Sequence, residues 1–355
     1  MSKGIFKHVK ISSIATVVPT YSRSIDDEIE LLGNEKNIKK LKLITGLNKR
    51  RIADKHTTSI DLCSYAAKKI IRELGININE IDGIIFVTQT PDYRMPNCAS
   101  VVHGQLGISK ECICFDINHG CSGYIYGLLN AFSLIESNIC RKILLLVGDT
   151  LSKVINPMDK SLAIIHGDAG SATIIERTEK KIKSHFIIHS YGKKAKSIII
   201  KAGGFKYVSS EDTRVEKKDS EGNIRSDEQL YMDGLAVFNF ALQKVPELVN
   251  EMLNFTKLNI NEVDFFAFHQ ANGIINKGII NKLQIDRQRA PLDVISKYGN
   301  SSCCSIPQVL SEAFGNKKII KNKVVMTGFG VGLSLGTCCT SFENTTIFPV
   351  VNYEK

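Results

Sequence analysis

Cys121 stands in Phe115-Asp116-Ile117-Asn118-His119-Gly120-Cys121-Ser122-Gly123-Tyr124, where an apolar, strand-like run breaks into small residues. The apolar stretch Tyr124 to Ala131 that follows reads as a helix. A cysteine at such a strand-to-helix elbow has its sulfur near free backbone N–H groups and the positive end of a helix dipole. Both favour thiolate over thiol and so create a nucleophile. Two polar clusters downstream offer it partners: His269 in Phe268-His269-Gln270-Ala271-Asn272, and Asn300 in Tyr298-Gly299-Asn300-Ser301-Ser302. Cysteine, histidine and asparagine together are a nucleophile and two hydrogen-bonding groups that can polarise a carbonyl.

Singly, each is weak. A cysteine is usually core, a histidine usually structural, and a Gly-Asn-Ser run usually a turn. Papain-like proteases also use Cys, His and Asn in this chain order, and 269 − 121 = 148 falls within their spacing of about 130–150. The papain motif around the cysteine is absent, however, and the chain contains no tryptophan. The protease reading is set aside.

The elements that must position these groups come from a duplicated chain. Asn77-Ile78-Asn79-Glu80-Ile81-Asp82 returns as Asn259-Ile260-Asn261-Glu262-Val263-Asp264, each copy preceded by a helical pattern (Asp61 to Leu74, Leu235 to Leu253). An apolar strand follows each copy: Gly83-Ile84-Ile85-Phe86-Val87 and Phe265-Phe266-Ala267-Phe268. Further on, Lys142-Ile143-Leu144-Leu145-Leu146-Val147-Gly148 matches Lys323-Val324-Val325-Met326-Thr327-Gly328. Two matches in the same order, in the same context, make duplication a better explanation than chance. Alternating apolar strands and amphipathic helices imply α/β architecture with buried sheets. The halves are expected over 1–180, carrying the nucleophile, and 181–355, carrying His and Asn. The charged, aperiodic stretch Ser209 to Gln229 reads as a surface excursion or lid, with disorder as its alternative.

At 355 residues and 43% hydrophobic content the chain can bury a large core. No apolar run is long enough to span a bilayer, and Met1 to Lys7 lacks a signal-peptide core, so a cytoplasmic protein is expected. The ten cysteines are irregularly spaced, with pairs at Cys303-Cys304 and Cys338-Cys339, which suits reduced, mostly apolar-packed thiols and no metal site. The formal charge of +10 gathers at Lys36 to Lys42, Lys49 to Arg51 and Lys317 to Lys323. No aromatic interleaving or nucleic-acid motif accompanies it, so most of these lysines read as a solvated surface and a subset as a surface for an acidic protein.

With these motifs in place, the sequence resembles the thiolase-fold condensing enzymes of the β-ketoacyl-[acyl carrier protein] synthase III type. The motifs are Asp116 to Gly123, His269 to Asn272, Gly299 to Pro307 and Gly328 to Leu333, together with Gly46 to Ala53 and Gly167 to Gly170. The resemblance implies a five-layered αβαβα fold and a homodimer. It implies that Cys121 takes an acyl group from a thioester, with the backbone N–H groups of Cys121 and Val331 as oxyanion hole. His269 and Asn300 would stabilise the enolate of a decarboxylating malonyl unit, and the product would be a 3-oxoacyl thioester. No cofactor is implied, only acyl-CoA or acyl carrier protein thioesters as substrates. Phe329 and Met95 would border the acyl pocket, Met95 from across the dimer, and Lys277 would contact the carrier protein in place of an arginine matched by Ile274. The family's coenzyme A clamp is matched by Lys40 and Ile44, and Val331 replaces a glycine. These departures imply a carrier-bound donor and a specialised lipid, glycan or secondary-metabolite pathway. The alternative within the fold passes the acyl group to a hydroxyl or amine without decarboxylation.

Overall fold

A computed structural model describes residues 2–315 and 322–354. The basic stretch at 317–321 lies outside the described residues. Two mixed sheets form the frame, and each is built on the same strand pattern. In the first, Val9–Val18, Ala169–Arg177, Lys142–Asp149 and Gly83–Val87 run side by side, flanked by Thr346–Ile347 and Ile113–Ile117. In the second, Ser184–Ser190, Ser334–Thr340, Val324–Gly330 and Phe265–Phe268 repeat the four, with Lys3–Phe6 at one edge. Both sets read antiparallel, antiparallel, parallel across their three shared pairings. The chain ends are exchanged: Lys3–Phe6 pairs into the second sheet, while Thr346–Ile347 and Val351–Asn352 pair with Val9–Val18 in the first.

Helices Gly123–Glu136 and Ser305–Phe314 lie between the sheets and touch strands of both. Their apolar faces, including Leu128, Phe132, Ile135, Val309 and Leu310, fill the central core. Ser59–Leu74 and Cys98–Leu106 cover the outside of the first sheet, and Gly234–Thr256 and Gly273–Leu283 the outside of the second. The result is the expected five-layered αβαβα arrangement. Strands covered on both faces have no solvated side, which is why Gly83–Val87 and Phe265–Phe268 are buried at every position.

The duplication extends to individual hydrogen bonds. Asn77 and Asn259 each cap a single 3₁₀ turn, accepting from the N–H of Asn79 and Asn261. Asp82 then accepts from the N–H groups of Arg141 and Lys142, and Asp264 from those of Asn322 and Lys323. The ion pair Lys142–Glu80 recurs as Lys323–Glu262. A chance six-residue match would not reproduce both the cap and the strand start it anchors.

The Ser209 to Gln229 excursion is ordered, which overturns disorder as its alternative. It folds as a short helix, Glu211–Arg214, and a hairpin of Lys217–Lys218 with Ile224–Arg225. Asp219 braces the hairpin tip by accepting from the N–H groups of Glu221 and Asn223. Arg225 pins it down through Asp159, whose side chain is almost fully buried (Nε–Oδ2 2.8 Å), and Asp219 (Nη2–Oδ2 3.0 Å). Among the described residues no helix is long and apolar enough to cross a membrane.

Candidate active site

Strand Ile113–Ile117 delivers the chain to Cys121, and helix Gly123–Glu136 carries it away into the central layer. Asp116 ties the strand down by accepting from the N–H groups of Cys98 (2.6 Å) and Ala99 (2.8 Å). The opposite wall is the end of strand Val324–Gly330, which packs directly on the elbow's own backbone. A Cβ on Gly328 would lie 2.7 Å from Ser122 Cα, and one on Gly330 would lie 2.8 Å from Cys121 Sγ. Glycine at both positions is therefore a condition for bringing Val331 N–H to the sulfur.

Strand Phe265–Phe268 ends at His269, whose N–H bonds to Thr327 O (2.9 Å) on the neighbouring strand. Asn276, one turn into helix Gly273–Leu283, clamps the turn by donating to His269 O (2.8 Å) and accepting from Ala271 N–H (3.2 Å). Asn300 follows helix Asp293–Tyr298; its Oδ1 accepts from Ser302 N–H (2.9 Å), and its Nδ2 donates to Ala271 O (3.3 Å). One Asn300 N–H remains for a ligand. Cys121, His269, Asn300, Phe329 and Val331 all line one cavity of about 620 Å³. Phe329 stands edge-on to His269, with centroids 5.1 Å apart, and shields it from bulk water.

Met95, expected at a pocket across the dimer, and Lys277, expected to contact the carrier protein, both lie outside this protomer's cavity wall. Met95 is 84% exposed and outside the cavity wall, and Lys277 borders a separate surface concavity with Arg287 and Ser296. Lys40 and Ile44, on helix Glu35–Thr45, are also outside the cavity wall.

The electrostatics correct one expectation. Burial pushes the Cys121 thiol up to about 11, and the buried Asp149 carboxyl adds to the rise. The Ser302 hydroxyl and the N–H groups of Cys121 and Val331 oppose it without overcoming it. A helix-end field is worth at most about 2 kcal/mol, whereas removing a sulfur anion from water costs more. The resting nucleophile is thus a thiol, not a thiolate. Burial likewise pushes His269 down to about 3, with His166 nearby adding to the effect, so its imidazole is neutral.

Several residues given no role by sequence reasoning complete the site. Ser305 Oγ lies 2.6 Å from His269 Nδ1 and 2.9 Å from Ser302 O, so its hydroxyl decides which ring nitrogen holds the proton. Asp149 accepts from Gln89 N–H (2.7 Å), Thr88 Oγ1 (3.1 Å) and Cys303 Sγ (3.4 Å) just behind the elbow. Ser302, in a left-handed conformation (φ 51°), is 1% exposed. Its hydroxyl is close enough to lower the pKa values of Cys121 and Asp149, yet it has no well-formed hydrogen bond among the described residues. Ser302 and Ser305 lay inside a motif that sequence inspection singled out; only the fold shows which way their hydroxyls point.

The chain has clear relatives. The sequence profile for 3-oxoacyl-[acyl-carrier-protein (ACP)] synthase III matches residues 115–192, and that for the C-terminal region of the same family matches 253–342. A Campylobacter jejuni protein provisionally named 3-oxoacyl-[acyl-carrier-protein] synthase 3 is 37% identical over 99% of this chain and 98% of its own. The β-ketoacyl-[acyl-carrier-protein] synthase III of Streptococcus mutans is 33% identical over 92% of this chain and 97% of its own. In three dimensions, the crystal structure of a 3-oxoacyl-(acyl-carrier protein) synthase from Burkholderia xenovorans superposes with a TM-score of 0.91. It is 35% identical and covers 99% of this chain and 98% of that one.

Proposed function

The chain belongs to the 3-oxoacyl-[acyl-carrier-protein] synthase III family of acyl-transferring condensing enzymes, and we propose that it joins an acyl group held on Cys121 to a malonyl-carrier-protein unit. The observation that carries this reading is the convergence of Cys121, His269, Asn300 and the Val331 N–H on one cavity. The donor is proposed to be carrier-bound and the pathway a specialised one, in keeping with Lys40 and Ile44 where the family clamps coenzyme A.

Two half-reactions suit these groups. In the first, the Ser305 hydroxyl points to Ser302 O, so His269 holds its proton on Nδ1 and presents a bare Nε2. Nε2 takes the thiol proton as Cys121 Sγ attacks the donor carbonyl. The N–H groups of Cys121 and Val331 hold the resulting oxyanion. The C–S bond to the carrier breaks, and the departing thiolate takes the proton from His269. In the second, the departure of the first carrier has admitted water, and the ring proton has exchanged through it from Nδ1 to Nε2. The Ser305 hydroxyl then turns to donate to Nδ1, and Nε2–H and the spare N–H of Asn300 grip the malonyl thioester carbonyl. The bond to the carboxylate breaks, carbon dioxide leaves, and its electron pair becomes an enolate. That carbon attacks the acyl-Cys121 carbonyl, expelling the Cys121 thiolate, which takes a proton from water. Because decarboxylation makes the nucleophile, a neutral imidazole suffices where a strong base would otherwise be required.

Tyr93, Met95, Phe205 and Val208 are exposed apolar side chains on two segments joined by the Arg94–Phe205 contact, Met95 and Phe205 being 84% and 86% exposed. We assign these segments to contact with a second copy of the chain, which would bring Met95 toward the partner's acyl pocket.

The test is intact mass after incubation with acyl-CoAs and acyl-carrier proteins. An adduct that requires Cys121 and is discharged by malonyl-carrier protein with release of carbon dioxide is the expected result. An adduct discharged only by an alcohol or amine would replace condensation with simple acyl transfer.

A further inference from the structure

A second buried histidine shares the cavity. His166 is 8% exposed, lines the same wall as Cys121, His269 and Asn300, and has no part in the two half-reactions above. Its backbone position is fixed by an isolated parallel bridge to Asn300: Asn300 N–H bonds to Ile165 O (2.8 Å), and Gly167 N–H bonds to Asn300 O (3.0 Å). The bridge therefore sets His166 beside the residue that faces the malonyl carbonyl.

The hydrogen bonding of His166 defines what it offers. Nδ1 lies 3.1 Å from Leu162 O, and a carbonyl oxygen only accepts, so Nδ1 carries the ring proton. Burial pushes the imidazole below its ordinary range and keeps it neutral. Nε2 then presents a lone pair, for which the described residues supply no donor. The groups proposed to grip substrate (the N–H groups of Cys121 and Val331, and that of Asn300) are all donors. They match the thioester group, which offers only acceptors; the N–H donors of a plain alkanoyl donor are confined to its carrier arm. A lone pair facing the cavity has no use for a plain alkanoyl thioester, and covering it with hydrocarbon would leave a buried acceptor unpaired. Nor does the nucleophile satisfy it once acylated, because acyl-Cys121 carries no proton.

We propose that His166 is a specificity residue: its Nε2 accepts a hydrogen bond from a hydroxyl or amide N–H carried close to the donor's thioester carbonyl. The preferred donor is then a hydroxyacyl or acylamino thioester and not a plain alkanoyl one. This rests on the thioester reading of the site.

The experiment compares butanoyl, 2-hydroxybutanoyl, 3-hydroxybutanoyl and N-acetylglycyl groups, all on the same carrier protein, for the rate of Cys121 acylation. Wild-type enzyme should favour at least one polar donor over butanoyl by about tenfold or more, since sites built to pair a hydroxyl reject the analogue that lacks it. In His166→Phe that ratio should fall to about one, and His166→Gln, which keeps an acceptor, should retain part of it. Thermal melting of each variant separates these effects from misfolding. Loading of all donors without preference in wild type overturns this inference and leaves the condensing reading intact. An equal loss on every donor in His166→Phe also overturns it, because the partner would then be an amide of the shared carrier arm. Failure of every thioester to load Cys121 overturns both.

Discussion

Gly330→Ala is the sharpest test of how the oxyanion hole is held. The new Cβ would sit 2.6 Å from Cys121 Cβ and 2.8 Å from Cys121 Sγ. Carbon atoms in ordinary contact are about 3.5–4.0 Å apart, so the strand end and the elbow must separate by roughly 1 Å. Neither side has slack. Gly328, two residues earlier, already faces Ser122 Cα at a distance that admits no side chain, and helix Gly123–Glu136 is wedged between the sheets. The movement falls on Val331 N–H, the donor opposite the sulfur. Misplacing a catalytic group by about 1 Å costs on the order of 100-fold, similar to losing one oxyanion donor outright. Overpacking should cost a further 1–3 kcal/mol or so in stability. Single-turnover acylation followed by intact mass reads the first effect, and chemical denaturation reads the second. The Cys121→Gly background supplies the control: with Sγ and Cβ gone, the stability cost of Gly330→Ala should largely vanish. Acylation within about threefold of wild type would refute the argument that this contact sets the hole.

Three further expectations follow from the same structure. Ser305→Ala removes the partner of His269 Nδ1 (2.6 Å), leaving a buried ring nitrogen unpaired; acylation should slow by roughly 10–100-fold, and chemical denaturation should show a loss of about 1–3 kcal/mol in stability. Because burial raises the Cys121 thiol to about 11, its thiolate fraction grows with pH throughout the neutral range. Iodoacetamide labelling of Cys121 in the free enzyme should therefore climb close to tenfold per pH unit from pH ~6 to ~9, and a plateau near pH 7 would reveal a preformed thiolate. Asp159→Ala strips Arg225 of its buried partner, so the hairpin of Lys217–Lys218 and Ile224–Arg225 should loosen. Limited proteolysis should then cut between residues 215 and 230 faster than in wild type, while unchanged cleavage would show that the Arg225–Asp159 pair is not what holds the hairpin.

The separation between what could be read and what had to be seen is physical. Apolar periodicity and the repeated Asn-Ile-Asn-Glu segment are local properties, so a duplicated α/β chain with buried sheets was legible in it, while the five-layered αβαβα order came only from the family resemblance. Cys121, His269 and Asn300 were legible too, because each sits where an apolar run stops and a turn must begin. Charge on Ser209 to Gln229 marked an excursion but not its order, since the Arg225–Asp159 pair joins residues 66 positions apart.

The protonation of the site was out of reach for the same reason. At the elbow, sequence reasoning saw the helix end that favours a thiolate. It could not see the desolvation that outweighs it, because desolvation depends on everything packed around the sulfur. Ser302, Ser305, Asp149 and His166 were hidden too, as serine, aspartate and histidine acquire a role only from the direction in which the fold turns them. The sequence by itself determined the elements, their duplication and the three candidate residues Cys121, His269 and Asn300, because these rest on short-range pattern. Tertiary structure alone decided which groups share a cavity, which nitrogens carry protons and which lone pairs are left facing inward, because burial and hydrogen bonding are set by neighbours far away in the chain.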